Sequence, residues 1–286
     1  MLKNNSLKTA FNNLNHYYTS LKTERFTLFI LLLLFLCVPN QGKSQRAVVL
    51  NMPDYDEESL FHFGFILGVN MSYATIRPIN DLRTHVFDST YLPDILPLPD
   101  SAKVLSVYST PTPGFVISIV ANMHLTRDLE LQFVPSLSFG DRTLLYDIET
   151  FRKRVGEKDS ILFSTISKKV PSTYVNFPIE IKYKAFRYNN FRPYLLAGAQ
   201  YTLDLASQAK KREEKNRNEK IVKFNQNDVY IEAGVGFDFY NEWFKFGLEL
   251  KMMYGLMDVL KREHNLYTNS IDRLNSKIFQ VSFTFE

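Results

Sequence analysis

The fold is decided by the stretch Lys277-Ile278-Phe279-Gln280-Val281-Ser282-Phe283-Thr284-Phe285-Glu286. Its apolar residues, Phe279, Val281, Phe283 and Phe285, alternate one by one with Gln280, Ser282, Thr284 and Glu286. Because successive side chains of a β-strand point to opposite faces, strict alternation predicts a strand that separates an apolar from a polar environment.

The same period of two recurs along the chain, in seven further segments. They are Phe61–Ile76, Phe115–Leu125, Leu129–Phe139, Tyr174–Lys184, Arg192–Leu205, Val229–Tyr240 and Trp243–Tyr254. No segment sustains a helical period, so the sequence predicts an all-β chain with eight strands. Pro135 and Pro178 fall within predicted strands, where we expect local bulges because proline lacks the N–H of the ladder.

The connections between these segments alternate between long and short. Thr126–Asp128, Arg187–Asn190 and Asn241–Glu242 are tight turns, whereas residues 77–114, 140–173, 206–228 and 255–276 are long and polar. Short periplasmic turns and long outer loops are typical of outer-membrane barrels, and an even strand number returns both termini to the periplasm. We therefore predict an eight-stranded antiparallel transmembrane β-barrel in the cell outer membrane, with extracellular long loops.

Alternation alone leaves open which face points outward. A soluble lipocalin-type barrel would place the apolar face inside, around a ligand. The lipid-facing alternative is favoured by strand lengths that match a tilted bilayer crossing and by glycines and charges that suit a narrow interior. Aromatic residues near strand ends are expected to form interfacial girdles, and they are Tyr73, Tyr174, Tyr240, Trp243 and Tyr254.

The N-terminal residues 1–44 read as a cleaved signal peptide. Basic residues precede an apolar run, Phe26–Val38, which is shorter than the roughly 20 residues of a transmembrane helix. Residues 45–59 are then an N-terminal periplasmic segment and residues 60–286 the barrel; an uncleaved anchor is the alternative. Cys37, the only cysteine, lies inside the run, so the mature chain would hold no disulfide or zinc-thiolate site.

The net charge of +4 comes from the leader. Residues 1–45 hold five basic residues and one acid, and removing these from the totals of 34 and 30 leaves 29 of each. A formally neutral mature chain gives no reason to expect a nucleic-acid partner.

Ionisable residues recur on the polar face of the predicted strands. They are Glu130, Glu180, Asp204, Glu232, Asp238, Glu249, Lys182, Lys184, Lys245 and Lys251. An eight-stranded barrel encloses room for side chains and no aqueous channel, so these charges are expected to pair in a closed polar interior. A proton or ion pathway is the alternative, and a general diffusion porin is disfavoured.

Histidines are the remaining candidates for chemistry. His62 and His124 are predicted to meet in the lumen near the periplasmic rim, where Glu130 and Glu286 could approach and form a metal or acid–base site. His85 and His264 fall in loops. With no nucleophile elbow, HExxH or phosphate loop, the sequence predicts no enzyme, catalytic residue, metal or cofactor.

The predicted outer loops carry three further features. The run Lys210–Lys220 holds six basic residues and could contact lipopolysaccharide phosphates, although a solvated loop is the alternative. Prolines that would stiffen the first long loop are Pro93, Pro97, Pro99, Pro111 and Pro113. Asp88-Ser89-Thr90, Asp100-Ser101-Ala102 and Asp159-Ser160-Ile161 resemble a bacterial O-glycosylation sequon, with chance occurrence as the alternative. Outer-membrane lipid and lipopolysaccharide are therefore the expected partners.

Four stretches carry a family resemblance: Tyr174–Lys184, Arg192–Ala199, Glu232–Gly236 and Phe246–Lys251. They resemble the PorT family of Bacteroidetes outer-membrane β-barrels over residues 60–286, and Pro178 fits the family's habit. The resemblance implies a non-enzymatic component needed for type IX secretion, which exports proteases, adhesins or gliding proteins and whose other proteins would be partners. The alternatives are a generic barrel with a surface-binding or adhesion role and a lipid A-modifying barrel enzyme.

Overall fold

The computed structural model describes residues 49–53, 55, 59–92, 99–152, 160–207 and 222–286. All of them belong to one compact unit, Val49–Glu286. The predicted signal peptide, the run Lys210–Lys220 and the first two loop prolines lie outside the described residues.

Within these ranges the chain forms one sheet of eleven antiparallel strands, which confirms the all-β prediction. The strands are β1 Phe61–Pro78, β2 Phe87–Asp88, β3 Ser101–Thr110, β4 Thr112–His124, β5 Leu129–Phe133, β6 Ser136–Arg152, β7 Ser160–Lys184, β8 Phe191–Asp204, β9 Asn227–Tyr240, β10 Lys245–Gly255 and β11 Ile271–Phe285. A short helix, α1 Leu266–Asn269, precedes β11. Among the helices of the described residues, none combines the length and the apolar character that a bilayer crossing needs.

The sheet closes on itself as a barrel. Its strands follow the order β1-β11-β10-β9-β8-β7-β5-β4, and β4 pairs back with β1. β5 and β6 occupy one position between β4 and β7, so the ring has eight positions. The predicted barrel is confirmed: its ring has the eight predicted positions, whereas the whole sheet, with the division into β5 and β6 and the added β2 and β3, counts eleven strands.

Pro135 and Pro178 explain one part of this difference. Val134 pairs with Pro178 and Pro135 lies opposite Phe177, so two missing N–H groups interrupt the ladder at the same level. The register is the same before and after the gap: Phe133 faces Ile179 and Ser136 faces Asn176. The predicted bulges are therefore wrong, because no residue is inserted and the gap reflects lost hydrogen bonds alone.

The other part comes from strands in predicted loops. β2 and β3 lie within 77–114, and β6 and β7 extend through much of 140–173. We call β3, Asp141–Arg152 of β6 and Ser160–Thr173 of β7 the β-arm. Tyr146 and Ile148 do alternate with Asp147 and Glu149 there, but Leu145 interrupts the alternation after Leu144, so the strand pattern of the segment is weak.

Two smaller expectations about these loops also change. Pro113 lies within β4, where it pairs with Met71, and the motif at Asp100-Ser101-Ala102 enters β3 instead of a loop.

The outer surface of the barrel is apolar and the interior polar. Phe63 is 68% exposed, whereas Glu130 and Glu180 on the opposite face are fully buried. This orientation confirms the lipid-facing prediction over the lipocalin-type barrel. Two girdle assignments are wrong, because Tyr174 and Tyr240 point inward; Trp243 is 87% exposed at a barrel end.

A second, apolar core fills the end of the barrel next to the β-arm. It combines the inner face of the arm with residues from 82–92, 222–224 and 259–274, including α1. Tyr146, Leu266 and Ile271 are almost completely buried in it. The long connections, predicted as polar loops, therefore form a cover over this end of the barrel.

Candidate functional site

A cluster of three ion pairs lies in the lumen near the short turns at 125–128, 185–190 and 241–244. Lys182 Nζ lies 2.9 Å from Asp238 Oδ2, Lys184 pairs with Glu130, and Lys245 pairs with Glu286. All six side chains are buried. We call these six side chains the turn-end cluster. Its three ammonium groups neutralise its three carboxylates, because a buried charge without a partner is costly in a dry interior.

The structure brings the four sequence-predicted rim residues to this cluster. His124 Nε2 lies 2.7 Å from Glu130 Oε1, and the rings of His62 and His124 meet edge to face at 4.9 Å. Glu286 accepts a hydrogen bond of 2.8 Å from Asn122 on β4. In residues 49–53, 55, 59–92, 99–152, 160–207 and 222–286, no group of three His, Cys, Asp or Glu side chains has an arrangement that could hold a metal ion.

The two other histidines lie at the opposite end, which we call the loop end. The His85 ring contacts Phe87 at 4.6 Å, and the His264 ring contacts Tyr91 at 4.2 Å. Both serve as aromatic packing in the cover and stand far from the turn-end cluster in the fold.

An N-terminal cover, made by residues 49–53 and Tyr55, lies across the turn end. The Tyr55 ring stacks on His62 at 4.1 Å, and its hydroxyl donates to Glu286 at 3.1 Å. Burial raises the pKa of Tyr55, so the hydroxyl remains a donor at neutral pH. Asn51 donates its backbone N–H to Asn190 and its side-chain amide to the carbonyl of Tyr240. Apart from its apolar and aromatic residues, nothing in the sequence of this segment predicts the cover.

A central glutamate cluster lies one layer deeper in the lumen. Lys251 Nζ lies 2.7 Å from Glu180 and 3.0 Å from Glu249, which also accepts from the Tyr194 hydroxyl at 3.1 Å. Glu232 is buried beside them, and neither of its carboxyl oxygens receives a hydrogen bond from a described residue. The cluster has two more carboxyl groups than ammonium groups, and because a carboxylate is only an acceptor, adjacent carboxyls can bond only by sharing a proton.

Arg142 links this polar interior to the apolar cover at the loop end. Its guanidinium donates to Tyr230 at 3.0 Å and lies over the rings of Tyr174 and Phe224, at 5.0 and 5.3 Å. Asp204, a predicted interior charge, is buried nearby and accepts the backbone N–H groups of Ala206 and Ser207. Sequence reasoning missed Arg142 because it lies in a segment predicted as a loop.

The layers of buried side chains leave a small polar cavity between them in the lumen. A residual cavity of about 10 Å³ is lined by polar side chains that include Asn70, Asn176 and Gln200, and this is room for about one water. Side chains thus occupy the interior along its length, and the arrangement can hold protons and charges but offers little space for a substrate.

Several solved structures are similar to the chain at low identity. Neisserial surface protein A is 10% identical with a TM-score of 0.35, covering 78% of this chain and 97% of its own. The outer membrane protein OprG from Pseudomonas aeruginosa is 15% identical with a TM-score of 0.32, covering 78% and 93%. The translocator domain of the autotransporter NalP from Neisseria meningitidis is 6% identical with a TM-score of 0.24, covering 78% and 88%.

None of the curated proteins matches the chain. A family model, described as outer membrane protein beta-barrel domain, matches residues 41–261, which is most of the chain. With a closed antiparallel barrel, an apolar exterior and a charged interior, the chain belongs to this family of outer-membrane β-barrel proteins.

Proposed function

We propose that this barrel is a non-enzymatic outer-membrane component or assembly factor required for type IX protein secretion, as a member of the PorT family. The resemblance of Tyr174–Lys184, Arg192–Ala199, Glu232–Gly236 and Phe246–Lys251 supports the family. In this proposal the turn end faces the periplasm, and the long connections and the β-arm face outward.

One observation carries the mechanism: the lumen is filled by side chains. Buried side chains of the turn-end cluster, the central glutamate cluster and the Arg142 layer cross the lumen, and a cavity between them has room for about one water, so neither a folded nor an unfolded protein passes through this barrel. The barrel therefore acts through contacts of its outer belt and its ends with the rest of the secretion apparatus, and cargo crosses elsewhere.

The environment of the histidines supports a non-enzymatic role. His124 contacts Glu130 and lies within 3.4 Å of Lys184 Nζ, while Tyr55 stacks on His62. A general acid or base must reach its substrate within hydrogen-bond distance, and here the covering residues take that place. A lipid A-modifying enzyme has the least support.

A surface-binding or adhesion role is the second candidate. The exposed apolar residues Ile161, Leu162 and Phe163 in the β-arm favour it, since an exposed apolar patch marks a binding surface. If the protein acts in adhesion, its deletion leaves secretion unchanged, so one experiment separates the two proposals.

The test is a clean deletion, with secreted cargo measured in medium and in periplasm. We expect cargo to accumulate in the periplasm and to return to the medium on complementation with the wild-type chain. Complementation with His62→Gln, inserted normally as judged by heat-shifted gel mobility, should restore secretion as well. Normal secretion by the deletion strain would overturn the proposal, and loss of surface binding in that strain would favour the adhesion role.

A further inference from the structure

The β-arm leaves one edge of β7 without a neighbouring strand. β7 pairs with β6 from Ser160 to Asn176, but its pairing with β8 begins at Tyr174 and continues to Lys184. Among the described residues, none outside β6 forms a backbone hydrogen bond with Ser160–Thr173. A free edge presents a row of backbone N–H and C=O groups that can pair with a further strand.

The composition of this edge changes along its length. Ile161, Leu162 and Phe163 are each 55–65% exposed, and the next four residues, Ser164–Ser167, carry no charge. Lys168, Lys169 and Pro171 follow toward the barrel. Lysine and proline are residues that natural sheets use to protect edges, so protection is concentrated near the barrel and the outer part of the edge is open to pairing.

The edge is also held rigidly. β6 and β7 pair without a register shift over the whole arm, and Asp147 on β6 accepts hydrogen bonds from Ser106 on β3 and Thr165 on β7. The inner face of the arm is anchored in the apolar cover through Tyr146 and Val170. A preorganised template lowers the entropic cost of binding an extended peptide.

A second copy of this chain cannot pair antiparallel with this edge. Two barrels inserted the same way in one membrane point their arms in the same direction, whereas antiparallel pairing of the two edges needs opposite directions. The run 208–221 of the same chain is crowded with charges and lacks strand alternation, so it is a poor complement to Ile161–Ser167. We take a separate protein, whose strand can approach the edge in either direction, as the source of the strand.

We propose that the edge Ser160–Lys169 of β7 binds an extended segment of a partner protein as an added β-strand. Backbone hydrogen bonds supply affinity and side chains on alternate positions supply specificity, as in other cases of strand addition. The segment is apolar where it meets Ile161 and Phe163, and acidic where it meets Lys169, whose ammonium group also pairs with Asp141 at 2.7 Å.

The probe is a synthetic fluorescent peptide of alternating valine and threonine with two aspartates at one end. It is titrated against the full-length mature protein in detergent micelles, and backbone hydrogen exchange is measured with and without it. We expect saturable binding that slows exchange within residues 160–169. Fast exchange that the peptide leaves unchanged would overturn the proposal. Protection of these amides in the free protein would also overturn it, because the chain's own residues would then occupy the edge.

Matched variants on the same face of the arm localise the site. Phe163→Lys should weaken binding by about tenfold or more, whereas Tyr108→Lys on β3, two strands from the edge, should leave it unchanged. Lys169→Glu should weaken binding of the aspartate peptide and strengthen that of a lysine-ended peptide, with Lys103→Glu on β3 as the control. Equal effects at edge and control positions would contradict the proposal; heat-shifted gel mobility verifies that every variant folds.

Discussion

At the scale of single residues, the interior of this barrel depends on charges that are buried in pairs. Lys182 lies 2.9 Å from Asp238 and 3.7 Å from the centre of the Tyr194 ring, and both charged side chains are almost inaccessible. Removing one partner of a buried pair leaves the other charge uncompensated, which costs far more than the pair itself contributes.

Lys182→Met should therefore lower the free energy of unfolding by about 3–5 kcal/mol. The double variant Lys182→Met/Asp238→Asn should regain a large part of this loss, because the lone carboxylate is gone. Urea unfolding in micelles, followed by the fluorescence of the single tryptophan, Trp243, measures both. A single variant as stable as the wild type would show that water or another cation reaches Asp238.

Gly236 gives a second prediction at this scale. A Cβ at this position would lie 2.1 Å from Cζ of the Tyr194 ring, which is buried and cannot yield easily. Gly236→Ala should destabilise the barrel by about 1–3 kcal/mol through overpacking. Gly140→Ala is the matched control, since its nearest neighbour would be 3.6 Å away. Equal unfolding midpoints for the two variants would contradict the prediction.

At the scale of elements, the β-arm and the connections that pack on it form a second structural layer on the barrel. α1 is capped by Asn265, whose side chain accepts the N–H of Thr268 at 2.8 Å, and it places Leu266 in the apolar core. The exposed apolar belt of β1 ends near Met71, at the level where the arm begins, so we place this layer beyond the hydrocarbon region.

Leu266→Ala should destabilise this cover by about 2–5 kcal/mol, because Leu266 is completely buried. Hydrogen exchange should accelerate in 256–276 while the β8–β9 amides of the barrel wall keep their protection. Leu256→Ala, at a position that is 44% exposed, is the control and should change little. Acceleration throughout the barrel would show that the cover and the wall unfold as one unit.

Asp147 should make the arm sensitive to acid. Hydrogen bonds from Ser106 and Thr165 hold the pKa of the Asp147 carboxyl below its usual value. A carboxyl group whose pKa is lower in the folded than in the unfolded state makes its full contribution to folding stability above its unfolded-state pKa. This contribution is lost as the pH falls through the folded-state pKa. We expect amide protection in the arm, corrected for intrinsic exchange, to fall on acidification in the wild type and to be less pH-dependent in Asp147→Asn.

At the scale of the whole molecule, the barrel is closed by layers of different chemistry. From the turn end inward these are the N-terminal cover, the turn-end cluster, the central glutamate cluster, the Arg142 layer and the apolar cover. An eight-position ring has an interior just wide enough for side chains, which accounts for this stacking.

Purified protein in planar bilayers should consequently show no stable open-channel conductance. Deletion of residues 49–59 should leave this unchanged, because the pairs Lys182–Asp238, Lys184–Glu130 and Lys245–Glu286 remain beneath the removed cover. Stable ohmic steps in the wild type would contradict the filled lumen, and steps that appear after the deletion would identify the N-terminal cover as its main seal.

Much of the barrel wall was predictable, because the side of the sheet to which a side chain points follows from its position in the alternation of its own strand. The alternation of Phe279, Val281, Phe283 and Phe285 predicted their outward direction, and Glu180 and Glu249 were correctly placed inside. The pairing of His124 with Glu130 was anticipated as a meeting at one rim. Tyr174 and Tyr240 were misassigned because their aromatic character was weighed above their position in the alternation.

By itself, the sequence determined the fold class, the lipid-facing side of each predicted strand and the polar character of the lumen. The tertiary structure alone decided which carboxylate pairs with which lysine, that residues 49–53 and Tyr55 cover the turn end, and that the connections form an apolar cover. The physical reason is the sequence separation of the interacting residues. Alternation involves successive residues, whereas Tyr55 contacts Glu286 and Arg142 contacts Tyr230 across distant parts of the chain. Such contacts depend on ring closure and strand register, which no local pattern specifies.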